Sequence, residues 1–403
     1  MQKSLLVLIA IILCSCNTNK PVQKLKLGIY RATLNVMDNE ILPFIFEVVS
    51  NDKINIFNAE EVIEDNSISY RNDSIFINFP VFEGYIAAVF EGDNLKGSYI
   101  KESLDRVVPF HAEFNNAKRF ETSTEPMIDI SGNWETVFTE ADGSHYIAKG
   151  IFKQKGHALT GTVRTTTGDY RYLEGIVNGF DVKFSVFDGA HAFLFTAKAK
   201  DSTMQGVFYS GNHSRETFVA KPNEAYELPR EDSLTFLKEG YDTFAFSFPD
   251  EKDNLVSLDD AQFKNKVIIV QIMGTWCPNC LDETRYYKTF YDANKDKDIA
   301  FVALAFEYAK TKEKAFAGIQ RLKDKVRLEY PILLAQFGSS NKVKAQEKLP
   351  MLNHVLSYPT TIFIDKKGKV RKIHTGFNGP ATGDKYVSFK KEFNEFVNIL
   401  LNE

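Results

Sequence analysis

Cys277 and Cys280 stand three residues apart in the stretch Gly274-Thr275-Trp276-Cys277-Pro278-Asn279-Cys280. Two thiols at this spacing suit thiol–disulfide exchange. One thiolate attacks a partner disulfide and the second resolves the mixed disulfide that results. The surrounding pattern supports that chemistry. An apolar run from Lys266 to Met273 predicts a buried strand leading in, and the residues from Pro278 to about Asn294 predict a helix leading out. Cys277 then sits at a helix amino terminus, where unpaired N–H groups and the macrodipole stabilise a thiolate. Pro278 falls in the first turn, where its missing N–H costs nothing. Cys280, one turn on, is placed to reach the first sulfur.

Other uses of the pair fit less well. Four cysteines occur in the chain, and the other two, Cys14 and Cys16, lie near the amino terminus. No second pair is therefore present to complete a four-cysteine zinc site. Leu281 follows Cys280, which excludes the haem-attachment motif. The seven histidines are scattered and none has metal-ligand spacing to the pair. A peroxidatic cysteine needs a threonine three residues before it, whereas Thr275 is two before Cys277. Intact Cys277 and Cys280 are expected to work as a redox disulfide with no further cofactor.

Alternating strand and helix patterns extend from about residue 240 to 403 and predict an α/β fold. Ile299 to Leu304 reads as a second buried strand, and Lys312 to Lys325 as a helix. Thr360 to Ile364 reads as a third core strand. It is followed by a turn at Asp365–Lys369 and a further strand from Val370. The last helix places Phe389, Phe393, Phe396 and Leu400 on one face. This part resembles the thioredoxin superfamily, specifically the membrane-anchored thiol–disulfide oxidoreductases of the TlpA/ResA kind. The lead-in strand, Trp276-Cys277-Pro278-Asn279-Cys280 and the later Tyr358-Pro359-Thr360-Thr361 match in order. The resemblance implies a cis proline at Pro359 facing the cysteines, and a substrate strand pairing with the backbone of Tyr358. It implies a proton-shuttling carboxylate at Glu283, which by position alone could equally be a surface acid like Asp282 that complements the helix dipole. Trp276 is expected to pack as a lid over the disulfide. The segment from Phe306 to Pro350 is long for a simple thioredoxin and fits the insertion these domains carry.

The amino terminus is read separately. Lys3, an apolar run from Leu5 to Leu13 and then Cys14-Ser15-Cys16 form a secretory signal too short to span a bilayer as a permanent helix. Leu13-Cys14-Ser15-Cys16 resembles the lipobox of bacterial lipoproteins, which implies lipidation of Cys16. Residues 1–16 are thus expected to be signal peptide and lipobox. Polar residues after Cys16 read as a tether.

Between these ends, the 403-residue chain is rich in aromatics, with 34 Phe and 17 Tyr, which favours half-buried strands. Alternating runs such as Ser74–Phe79 and Asp181–Val186 are punctuated by turn residues such as Glu91-Gly92-Asp93-Asn94 and Asp188-Gly189. Gly28-Ile29-Tyr30 recurs as Gly132-Asn133-Trp134, Val81–Gly84 as Val186–Gly189, and Leu95–Tyr99 as Met204–Phe208, all in one order. Two related β-rich units are expected, 25–121 and 127–222, each a small barrel or sandwich, followed by the thioredoxin-like domain at 240–403. Charged residues 223–240 would link them.

The formal net charge of −4 offers no electrostatic reason for a nucleic-acid partner. The expected partners are protein thiols and disulfides, an upstream electron donor, and a membrane through the lipid on Cys16. The expected activity is a lipid-anchored thiol–disulfide oxidoreductase of the cell envelope, facing the periplasm. A different class stays open, an envelope lipoprotein whose β-units bind a ligand while the thioredoxin-like part regulates or scaffolds.

Overall fold

The computed structural model describes residues 22–79 and 81–403. Cys14 and Cys16, with the expected signal and lipobox, lie outside the described residues. No helix among the described residues is long and apolar enough to cross a membrane.

Residues 28–114 form one nine-stranded antiparallel sheet. Its first strand, Gly28–Asn35, pairs with both the second, Ile41–Ser50, and the last, Arg106–Phe114. The sheet ends at the neighbouring strands Glu61–Asp65 and Ile68–Arg71, which share no ladder. A second meander follows from Gly132 to Pro222. Here the first strand, Gly132–Thr139, again pairs with the second and the last. The second strand, His145–Lys155, also pairs with Ala158–Thr165. Eight strands therefore close into a ring with no free edge, which removes a template for aggregation. The first sheet lacks that closure, so of the two units expected to be small barrels or sandwiches only the second is a closed barrel. Aromatic pairs fill both interiors, for example Tyr30 stacked on Phe46 and Phe138 on Tyr146.

The glycines that recur in the sequence occupy like places. Gly28 and Gly132 open the first strand of each sheet with positive φ. Gly97 and Gly206 sit in the penultimate strands, where backbones come too close for a side chain. A Cβ on Gly97 would lie 2.0 Å from the Ala87 carbonyl oxygen, and one on Gly206 would lie 2.4 Å from that of Thr196. Gly97→Ala is expected to destabilise the protein by about 3 kcal/mol, since the obstacle is backbone and cannot rotate away. A urea-unfolding midpoint unchanged from wild type would contradict that account.

Beyond a two-stranded ribbon of Ser247–Pro249 and Leu255–Ser257, the remainder is built on a five-stranded mixed sheet, with strands in the order Ile332–Gln336, Ile299–Phe306, Val267–Met273, Thr360–Ile364, Val370–Thr375. The first three run parallel and the last two antiparallel. Val267–Met273 is buried along its whole length, as its unbroken apolar run requires. Helices Pro278–Asp292, Lys312–Val326 and Asp384–Asn402 flank it. The long segment after Phe306 supplies an edge strand, Ile332–Gln336, and a short helix, Lys342–Lys348. On the last helix Phe389, Phe393 and Leu400 are buried as expected, together with Val397, and Phe396 is half-buried with its ring edge-on to Phe363. Residues 223–240 are packed down and not left as a free link. Thr375 Oγ1 donates to the buried Thr235 Oγ1 at 2.8 Å, and Leu237 bridges to Leu352.

The β half lies directly on this domain. The first sheet and the five-stranded sheet share one continuous apolar core, while the closed ring keeps a core of its own.

Candidate active site

The strand Val267–Met273 delivers the chain to Gly274, where the Trp276 indole presses against the backbone. A Cβ there would stand 2.3 Å from Trp276 Nε1. The indole N–H donates to the Phe306 carbonyl at 2.9 Å, and its ring packs between Tyr308 and Tyr358. Cys277 is the N-cap of helix Pro278–Asp292 and Pro278 its first residue. The Cys280 amide donates to Cys277 Sγ at 3.2 Å, and the Cys277 thiol donates to the Tyr358 carbonyl at 3.3 Å. Both cysteines are free thiols. The Tyr358–Pro359 peptide bond is cis. Cys277, Cys280, Trp276, Pro278, Tyr358 and Pro359 are thus gathered at one helix end.

Cys277 keeps 7% exposure and Cys280 none, so only the first sulfur can meet a partner. Burial, followed by the neighbouring Cys277 sulfur, pushes the Cys280 thiol well above its usual value, and Glu283 adds to this.

Glu283 is fully buried, which sets aside its reading as a surface acid. Its Oε1 accepts from Tyr287 Oη at 3.0 Å and Thr361 Oγ1 at 3.1 Å, and its Oε2 accepts from Gln271 Nε2 at 2.9 Å. Burial raises its pKa to about 7, against the opposing pull of those three donors. Gln271 Nε2 also reaches the Cys280 carbonyl, which ties the acid to the backbone of the redox turn. Asp282 is not a free surface acid either, because it ion-pairs with Arg171 of the β half.

Sequence reasoning overlooked a second buried carboxylate, Glu307. It accepts from the Thr275 amide and the Thr275 hydroxyl, each at 2.8 Å, and so fixes the loop before Cys277. Burial raises its pKa to about 7. It lies at the end of strand Ile299–Phe306, and nothing local in the sequence points to Thr275. Gln271 was findable as the one polar residue of an apolar strand. Tyr287 was findable as the residue four beyond Glu283 on the same helix.

These raised carboxyls set a pH dependence with a definite sign. Glu307 ionises near its ordinary 4.5 when unfolded and near 7 when folded. Between those values the folded state holds a proton that the unfolded state has lost, so stability falls as pH rises. The shift amounts to about 3 kcal/mol. Glu307→Gln is expected to lose less stability than wild type between pH 5 and pH 8, by up to that amount, in urea unfolding followed at both pH values. Parallel losses in the two proteins would contradict the assignment.

No cluster of three or more His, Cys, Asp or Glu suited to a metal ion occurs among the described residues.

The Redoxin family model matches residues 238–387. The chain is 30% identical over 140 residues to the thioredoxin-like protein YneN of Bacillus subtilis, covering 35% of this chain and 73% of that protein. It is 27% identical over 121 residues to the thiol-disulfide oxidoreductase ResA of Halalkalibacterium halodurans, covering 30% of this chain and 60% of the relative. Among solved structures, a DsbE-type thiol:disulfide interchange protein from Chlorobium tepidum is 17% identical. It covers 40% of this chain and 99% of its own, with a TM-score of 0.30. Through its carboxy-terminal part, this chain belongs to the thioredoxin-like thiol–disulfide oxidoreductases.

Proposed function

We propose that the chain is a lipid-anchored thiol–disulfide oxidoreductase of the cell envelope that reduces disulfides of partner proteins. One observation carries this reading. Cys277 Sγ lies at a helix amino terminus, within hydrogen-bond reach of the Cys280 amide, while Cys280 is sealed below it. Cys277 is the nucleophile, and Cys280 resolves the mixed disulfide. Glu283 takes the Cys280 proton. The Tyr358 carbonyl and Pro359 form the ledge on which a substrate strand lies, with Trp276 and Pro278 beside it. The pair leaves each cycle oxidised, so an upstream dithiol donor must reduce it again. Cys16 supplies the membrane anchor, and residues 25–121 and 127–222 are repeats of one β-unit that carry the redox domain.

The deciding experiment equilibrates the purified chain in glutathione and dithiothreitol buffers and reads the potential of the Cys277–Cys280 couple. A value near that of thioredoxin, about −270 mV, supports a reductase, and one near that of DsbA, about −120 mV, reverses the direction. Absence of a reversible two-electron couple would remove the redox reading altogether.

A further inference from the structure

The β half covers one flank of the redox pair. Ser357 Oγ, two residues before Pro359, donates to the Thr167 carbonyl at 2.8 Å. Asn279 Nδ2, between the two cysteines, donates to the Asp169 carbonyl at 3.0 Å. The Gly379 amide donates to Asp169 Oδ2 at 2.6 Å. A Cβ on Gly376 would lie 2.8 Å from the Thr167 carbonyl carbon, so the two backbones are in contact. Arg171 then ion-pairs with Asp282, Glu61 and Asp188, fastening the turn in place. A partner cannot approach Cys277 past Asn279, Ser357 and Gly376.

A cleft of about 290 Å³ lies between the β half and the redox domain, and Trp276, the neighbour of Cys277, forms part of its wall. That volume is at the lower limit of small-molecule sites. Tyr308 and Phe193 offer aromatic faces, and Lys101 and Arg106 offer positive charge. Among the described residues, no Asp or Glu lines the cleft. The Lys101 ammonium donates to the Ala190 carbonyl, and burial lowers it to about 8 against the opposing pull of Asp188, so it is charged at neutral pH. Burial lowers Arg106 from its usual value, against the opposing pull of the Tyr308 and Tyr99 hydroxyls.

We propose that this cleft is the substrate entrance, and that it takes an extended, acidic peptide segment carrying the disulfide, held by Arg106 and Lys101 and threaded past Trp276. The inference rests on the redox reading above. The Cys277 thiolate forms a bond to one substrate sulfur while the substrate S–S bond breaks and its other sulfur leaves as thiolate. The Cys280 thiolate then bonds to Cys277 Sγ and releases the second substrate sulfur. Two electrons pass to the substrate, its thiolates take up two protons, and the protein is left as the disulfide.

The test uses the full chain, pre-reduced, and two cystine peptides that differ only in flanking Asp or flanking Lys. Each second-order rate is divided by the rate of dithiothreitol with the same peptide. The Asp peptide is expected to react about tenfold faster, as steering by a cationic cleft provides. Half-molar salt is expected to erase the preference. Arg106→Glu is expected to reverse it and Arg106→Gln to weaken it. A wild type without charge preference, or variants that keep it, overturns the cleft assignment and leaves the redox couple standing. Failure to reduce either peptide overturns the redox reading itself.

Discussion

Cys277→Ser is expected to lower the rate of disulfide reduction by on the order of 10³-fold or more, because a hydroxyl cannot replace the thiolate as nucleophile at neutral pH. Cys280→Ser should behave differently. Its Cys277 retains the N-cap position and the 7% exposure through which a partner is met. It can therefore attack once and then has no resolving thiol. A covalent adduct is expected to accumulate on Cys277, to be visible by intact mass and to be released by dithiothreitol. The asymmetry follows from burial, since Cys280 has no exposed surface from which to attack a partner directly. Equal activity loss in both variants with no trapped adduct would argue against this division of labour. Adduct on Cys280 in the Cys277→Ser protein would reverse it.

How far the site was legible depended on where each residue sits. Cys277, Pro278 and Cys280 form one local turn between a strand and a helix, so their pattern could be read directly. Glu283 could be located but its burial could not, because position on a helix does not tell which face a distant strand will cover. Gln271, Tyr287 and Thr361 settle that question, and they come from two strands and a helix. The helix and strand limits of the redox domain followed from apolar periodicity, as at Thr360–Ile364, which emerges at the expected bounds. The edge strand Ile332–Gln336 and helix Lys342–Lys348 were not separated within their long segment. The turn Thr167-Gly168-Asp169 reads as an ordinary loop in sequence. Only the three-dimensional packing brings it against Asn279 and Ser357, since those contacts span more than one hundred residues. Closure of the second sheet depends on the ladder between His145–Lys155 and Ala158–Thr165, which alternation alone cannot distinguish from an open meander.

Glu283→Gln is expected to slow resolution of the mixed disulfide about 100-fold near neutral pH, within the range a positioned general base supplies. Cys280 needs such a base. It is completely buried and its thiol is held well above its usual value, so at pH 7 it carries its proton. Glu283 lies three residues along the same helix, on the neighbouring surface. Its own value of about 7 lets it be ionised in a useful fraction of molecules and still accept a proton readily. Glutamine keeps the size and an oxygen for the Tyr287 and Thr361 hydroxyls, but its amide cannot accept the Cys280 proton. The pH profile separates this role from a packing role. In wild type the resolution rate should rise through pH 7 as Glu283 ionises. In the glutamine variant that limb should vanish, leaving a rise only at the higher pH where Cys280 ionises unaided. Single-turnover release of a trapped thiol from Cys277, followed from pH 5 to pH 10, reads both limbs. A glutamine variant that keeps the limb near pH 7 would show that the proton goes elsewhere, and Glu283 would then be a buried acid that shapes the helix without taking part in the exchange.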